Sequence, residues 1–196
     1  DVYKRQVYAL INGTNTTLTS GWYNAGTSII IENITYYPSS TVRYVIVSIC
    51  PQSFTLNSPT EVNVTVIKQY YVYINCETKA IVNSHNVTLK SGYYNAGTTI
   101  KICEYNYINS TERIMILTTT YSITVDSPIN ITISKVLQYY VCIILPNGTV
   151  KGWYNANSIV TIPKEMEVSG VTYVLKGNNE IVISHTGVYK PCYVVE

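Results

Sequence analysis

The chain has two histidines, His85 in "NSHN" and His185 in "ISHTG", both in polar, loop-like settings. Beyond the first residue Asp126 is the only aspartate, and in "VDSP" it stands where "LNSP" carries Asn57, the pattern of a turn residue. A Ser-His-Asp or Cys-His centre could be drawn only by joining residues from distant parts of the chain, and catalysis needs such groups to converge. The sequence holds no HExxH, no CxxC, no glycine-rich phosphate loop and no calcium-loop pattern. We therefore expect a non-enzymatic chain that uses no cofactor and no metal.

The chemistry that the spacing does offer is modification. Asn-x-Ser/Thr triplets without a central proline begin at Asn12, Asn15, Asn33, Asn63, Asn86, Asn109, Asn130 and Asn147. That is about twice what the Asn and Ser/Thr content gives by chance, and such triplets are acceptors for N-linked glycans in exported chains. Asn63 and Asn130 fall on the outward face of alternating segments, where a glycan could be carried. Glycans there would also shield strand edges from other chains.

Composition narrows the partners. Charged residues are 12% of the chain, against about 25% in ordinary domains, and the net charge is +2. The 13 Lys and Arg are scattered with no run of three, so no basic surface for nucleic acid is expected. Polarity comes from Ser, Thr, Asn and 20 Tyr, residues that suit strands and amphipathic surfaces. No apolar run approaches the roughly 20 residues of a membrane-spanning helix.

The elements that position these residues come in three copies. "GWYNAGTSIII" from Gly21, "GYYNAGTTIKI" from Gly92 and "GWYNANSIVTI" from Gly152 are one phrase repeated. Downstream, Ile29, Ile100 and Val160 share a column, as do Ile31, Ile102 and Ile162, flanking the tolerant Ile30, Lys101 and Thr161. This period of two predicts a strand with one face buried. Upstream, "QYYVYI" from Gln69 matches "QYYVCI" from Gln138 and, more loosely, "VYALI" from Val7, which aligns Ala9 with Val72 and Val141. "SPTEVNVTVIKQYY" from Ser58 aligns with "SPINITISKVLQYY" from Ser127, and "TVRYVIV", "TERIMIL" and "VTYVLKG" supply a further strand. The fold expected is all-β: three tandem small β-sandwich, Ig-like modules of about five strands each, at 7–68, 69–137 and 138–196. No Gly, Pro or Ser run separates them, so modules should hand over through a nearly continuous strand and form a rod.

Within the phrase, Asn-Ala-Gly predicts a tight turn in which Gly26 and Gly97 need φ > 0, with Asn157 as the best-tolerated substitute. Of the aromatic pairs at Trp22, Tyr93 and Trp153, one ring is expected in the core and the other on the surface. The other use for these rings is a sugar-stacking platform. Cys142 and Cys192, on the first and last strands of the third module, are the leading disulfide pair. Cys76 and Cys103 are the second, and Cys50 is left over. The opening "DVYKRQ", residues 1–6, back-translates as GATGTGTATAAGAGACAG, a transposon end used as a sequencing adapter, and is read as that artefact with Val7 as an internal break point. The alternative is that Gln6 is a strand residue matching Gln69 and Gln138.

Together "QYYV", "GWYNAGT" and "NSP" followed by alternating valines resemble the tandem β-repeats of archaeal secreted and surface proteins. Such repeats occur in cell-envelope proteins and in non-catalytic regions of thermopsin-like acid proteases. The resemblance covers Val7 to Glu196. It departs at the missing Gly-Trp pair near the third strand, where "RYVIVSI" and "RIMILTT" stand, and in module three, which has "SHTG" for "SP". It implies a structural segment of an extracellular or cell-surface protein, such as an envelope component, S-layer, filament or adhesin stalk. The partners implied are other surface proteins or glycans. Two alternatives stand beside it: the accessory region of a secreted thermopsin-like protease, and a carbohydrate-binding module. With so few carboxylates to protonate, the melting temperature should differ little between pH 3 and pH 7, and a collapse at pH 3 would contradict the reading.

Overall fold

The computed structural model describes residues 7–196, so Asp1–Gln6, with the matching proposed for Gln6, lies outside the described residues. The described chain is all-β, with no helix. The charged segment "PKEMEV" contributes the strand Glu165–Val168. The described residues form 23 strands, more than the expected five or so per repeat, with hairpins such as Thr78–Val82 with His85–Leu89 adding to the number. The chain divides into two compact units. The first runs through Tyr73 and adds Ser91–Thr99 and Thr124–Asn130; the second holds Ile74–Lys90, Ile100–Ile123 and Ile131–Glu196.

In the first unit, one sheet has the order Thr14–Leu18, Val7–Ile11, Ser28–Ile31, Ser53–Thr55. Its inner face brings together Ala9, Ile29 and Ile31, each essentially fully buried, while the intervening Ile30 is exposed. Ile49 of Val42–Cys50, a strand of the other sheet, packs on this face, so two sheets share a core. That other sheet runs Gly92–Asn95, Asn63–Ile74, Val42–Cys50, Tyr36–Ser39. Burying three such side chains contributes on the order of 1.5–3 kcal/mol for each large one.

The second unit repeats the scheme. Thr78–Val82 pairs with the hairpin partner His85–Leu89 and with Ile100 to Ile102. Tyr105–Tyr107, Glu112–Leu117, Ser134–Leu145 and Gly148–Asn155 form a second sheet. Val141, Ile143 and Ile183 make a buried cluster, with Tyr154, Val160 and Ile181 packed on it. Val171–Leu175 lies between Glu165–Val168 and Tyr193–Val195, as Val42–Cys50 lies between Tyr36–Ser39 and Asn63–Ile74.

The strands are continuous where the sequence reading places its boundaries, at 68/69 and 137/138. Asn63–Ile74 and Ser134–Leu145 are single strands of 12 residues, each ending one repeat and opening the next. One alignment needs correction. Ala9 pairs with Ile31, and Ala80 pairs with Ile102, with the same 71-residue offset as Gly21 and Gly92 (80 − 9 = 102 − 31 = 92 − 21). Val7–Ile11 is therefore the counterpart of Thr78–Val82, not of the strand holding Val72. Apolar alternation alone matched two different strands, because both present small and branched residues to one face.

The Asn-Ala-Gly turn takes the expected form three times. Gly26 has φ 83°, Gly97 81° and Asn157 61°. In each, the residue after the turn donates its N–H to the asparagine carbonyl: Thr27 to Asn24, Thr98 to Asn95, Ser158 to Asn155. The N–H groups of Gly26, Gly97 and Asn157 in turn bond to the carbonyls of Leu56, Val125 and Ile183. A Cβ at Gly26 or Gly97 would meet nothing within 4 Å, so the dihedral and not crowding demands glycine. Gly97→Ala should therefore cost about 1–2 kcal/mol, whereas Asn157→Gly should cost nothing. Chemical denaturation of the two variants distinguishes them.

Candidate functional site

The most elaborate side-chain arrangement occurs once in each unit, where a boundary-crossing strand is paired on both flanks. In the first unit Gln69 faces Arg43 on one neighbour and Asn95 on the other. Arg43 Nε donates to Gln69 Oε1 at 2.6 Å, and Gln69 Nε2 donates to Asn95 Oδ1 at 2.7 Å. In the second unit Arg113 Nε donates to Gln138 Oε1 at 2.8 Å, and Gln138 Nε2 to Asn155 Oδ1 at 2.9 Å. The asparagine of the turn phrase thus has a second duty, tying the turn to the strand that enters the repeat. Gln138 is buried, so its amide depends on these partners.

Aromatic rings surround each arginine. The Arg43 guanidinium lies 4.2 Å from the Tyr93 ring centre, and Tyr71 and Tyr37 meet that ring edge-on at 5.1 and 6.1 Å. Tyr93 Oη donates to the Ser40 carbonyl. Arg113 lies between Tyr105 at 3.8 Å and Trp153 at 4.4 Å, and Tyr140 meets Trp153 edge-on at 5.4 Å. Arginine can do this because its guanidinium is planar, weakly hydrated and permanently charged, so it stacks and donates in plane at once.

This geometry separates the three aromatic positions. Tyr93 and Trp153 each give a ring face to an arginine, while Trp22 is fully exposed at 103%. They do not form one repeated platform. Tyr154, next to Trp153, packs on the core cluster, and both rings are half-buried. Both arginines stand at the same place in the aligned segments "TVRYVIV" and "TERIMIL", and Gln69 and Gln138 match as well. Pairing across three strands was the missing information.

The other candidate residues are dispersed. His85 Nδ1 lies 2.8 Å from the Asn83 carbonyl at the tip of a hairpin. His185 contacts Ser184 and Tyr189. All five cysteines carry free thiols. Cys142 lies on Ser134–Leu145, whose parallel neighbour is Gly187–Tyr189; Tyr193–Val195, which follows Cys192, pairs with Val171–Leu175 instead. The first and last strands of the third repeat are thus not adjacent, which removes the basis for that disulfide. Cys76 and Cys103 are likewise unjoined; Cys76 Sγ lies against the Ile133 carbonyl. All eight glycosylation asparagines are exposed. Asn12 sits in a turn at φ 48° with its Oδ1 accepting from Ser28 N–H, and the Asn109 side chain bonds Thr111 and Glu112.

Two groups have perturbed protonation. A hydrogen bond to Tyr70 raises the Lys68 ammonium above its usual value, partly opposed by desolvation. Burial raises the Tyr193 phenol. Both folded values exceed the unfolded ones, so these contributions are complete below about pH 10 and are lost only as pH rises beyond it. Neither makes the fold sensitive to acid. No group of three or more His, Cys, Asp or Glu able to hold a metal occurs among the described residues, and no helix is long and apolar enough to cross a membrane.

Comparison with family models, with curated proteins and with solved structures found no match for this chain. The Arg–Gln–Asn relay is open to direct test. Gln138→Ala should cost roughly 1.5–3 kcal/mol, because it takes away the acceptor of the charged, half-buried Arg113 donor as well as the bond to Asn155. Arg113→Lys should cost about 1 kcal/mol, keeping the charge but losing the in-plane donor and the stack. Thermal melts of both variants check the order, and an unperturbed Gln138→Ala would contradict the assignment.

Proposed function

We propose that this chain is a non-catalytic, glycosylated repeat segment of an extracellular or cell-surface protein, of the kind its repeat phrase resembles in archaeal secreted and envelope proteins. Its task is mechanical: to hold whatever it carries at a fixed distance. The observation that carries this reading is what the repeated residues do. Gly26, Gly97 and Asn157 serve a backbone dihedral, Gln69 and Gln138 brace a boundary strand, and the apolar columns fill cores. Residues kept through a threefold duplication for such purposes suit a spacer.

The boundary strand supports the same reading. Around Gln69 it is paired on both flanks, so the backbone there is held in sheet. A free linker of similar length would sample many directions at little cost. The exposure of all eight sequon asparagines fits a surface that carries glycans. Asn15, Asn63, Asn86 and Asn130 lie on strands, where a sugar chain would stand off the sheet.

Production in a glycosylating archaeal or eukaryotic secretory host tests this. Glycans are expected at several of the eight asparagines, read by peptide mass mapping with and without glycosidase. A secreted product at the bare 22.0 kDa would overturn the glycosylated surface assignment.

A further inference from the structure

The first repeat differs from the other two in one place. In the second and third, the glycine opening the turn phrase lies in a ladder: Gly92 opposite Val72, and Gly152 opposite Val141. Gly21–Asn24, the same phrase in the first repeat, belongs to no strand and has no ladder partner among the described residues. Beside it lies a groove of about 970 Å³ lined by Val7, Leu18, Trp22, Phe54, Leu56 and Val62.

Among the described residues, this lining is less covered than its counterparts in the other repeats. Leu18 is half-buried, whereas its counterpart Leu89 is fully buried. Leu56, identified by the bond from Gly26 N–H, is half-buried, whereas Val125 and Ile183 in the same role are fully buried. Val62 and Val64 are half-buried where Ile131 and Ile133 are buried. Trp22 stands free where Trp153 is stacked.

The third repeat shows what fills such a seat. Val141 and Ile143, from the strand continuing out of the second repeat, pack against Tyr154, Val160, Ile181 and Ile183, while Gly152 to Asn155 pair along that strand. We propose that the groove of the first repeat is an acceptor for an extended Gln-Tyr-Tyr-Val-x-Ile segment, the strand that leaves another repeat of this type. The segment lies antiparallel to Gly21–Asn24. Its Val and Ile enter the groove over Leu56, and its Gln reaches Asn24 as Gln69 reaches Asn95. Main-chain pairing supplies affinity and the alternate side chains supply specificity, as in other strand-addition sites. The inference stands on the repeat geometry and is independent of glycosylation or localisation.

The test uses the full chain carrying Trp153→Phe, so that Trp22 is the only fluorophore of its kind. The probe is the peptide Lys-Gln-Tyr-Tyr-Val-Tyr-Ile-Asn, the sequence of residues 68–75. Saturable binding with a blue shift of Trp22 emission is expected, together with slowed amide exchange at Trp22 and Tyr23. A peptide carrying Asp in place of the Val should bind at least about tenfold more weakly. In a second arm, residues 62–77 are grafted directly before Val7 in place of the first six residues, and the melting temperature should rise. Equal binding of both peptides, or no shift with either peptide and no rise from the graft, overturns the proposal. So does a self-associated chain in which Trp22 is already shielded before peptide is added, since a second copy would then own the groove.

Discussion

A β-strand has two hydrogen-bonding edges, and at Gln69 and Gln138 both edges are in use while the same backbone passes from one repeat to the next. Arg43 with Asn95, and Arg113 with Asn155, grip these glutamines from opposite sides. Much else follows from that grip. The Asn-Ala-Gly turn must present its asparagine toward the strand, so its dihedrals are set. The arginines must lie flat against the sheet, so rings gather over them. An amide linking a permanent charge to a neutral amide gains from polarisation along the chain of bonds, and loses heavily if any member is removed.

The turn and the apolar columns do complementary work. The positive φ at Gly26, Gly97 and Asn157 reverses the chain just before the buried columns begin, and the two main-chain bonds to Leu56, Val125 or Ile183 fix how the next strand meets the far edge. The clusters around Ile29 and Ile143 are small, each with three fully buried side chains at its centre. Domains of about 60 residues are marginal when isolated. Lending a strand to the neighbour adds buried surface without adding residues.

Much of this was legible in the sequence because it repeats. The all-β class, the buried columns at Ile29 and Ile100, the left-handed turn position and the unbroken strands across boundaries all follow from period and residue type. Three things did not. Hairpins such as Thr78–Val82 with His85–Leu89 carry little signal, since Asn83 and Ser84 reverse the chain without glycine or proline. Alternation does not single out Thr78–Val82 as the counterpart of Val7–Ile11, because it specifies a face and not a partner. The arginine–aromatic clusters and the free cysteines depend on which strands are neighbours, which a one-dimensional pattern does not contain.

The boundary strands set the period of the gene half a strand out of phase with the period of the fold. A duplication by unequal crossing-over that copies one repeat length from the middle of such a strand always carries a tail on one side and a matching seat on the other. Each new copy therefore joins its neighbours through a junction already optimised. An array of this design can lengthen or shorten in a lineage with no new contact having to evolve.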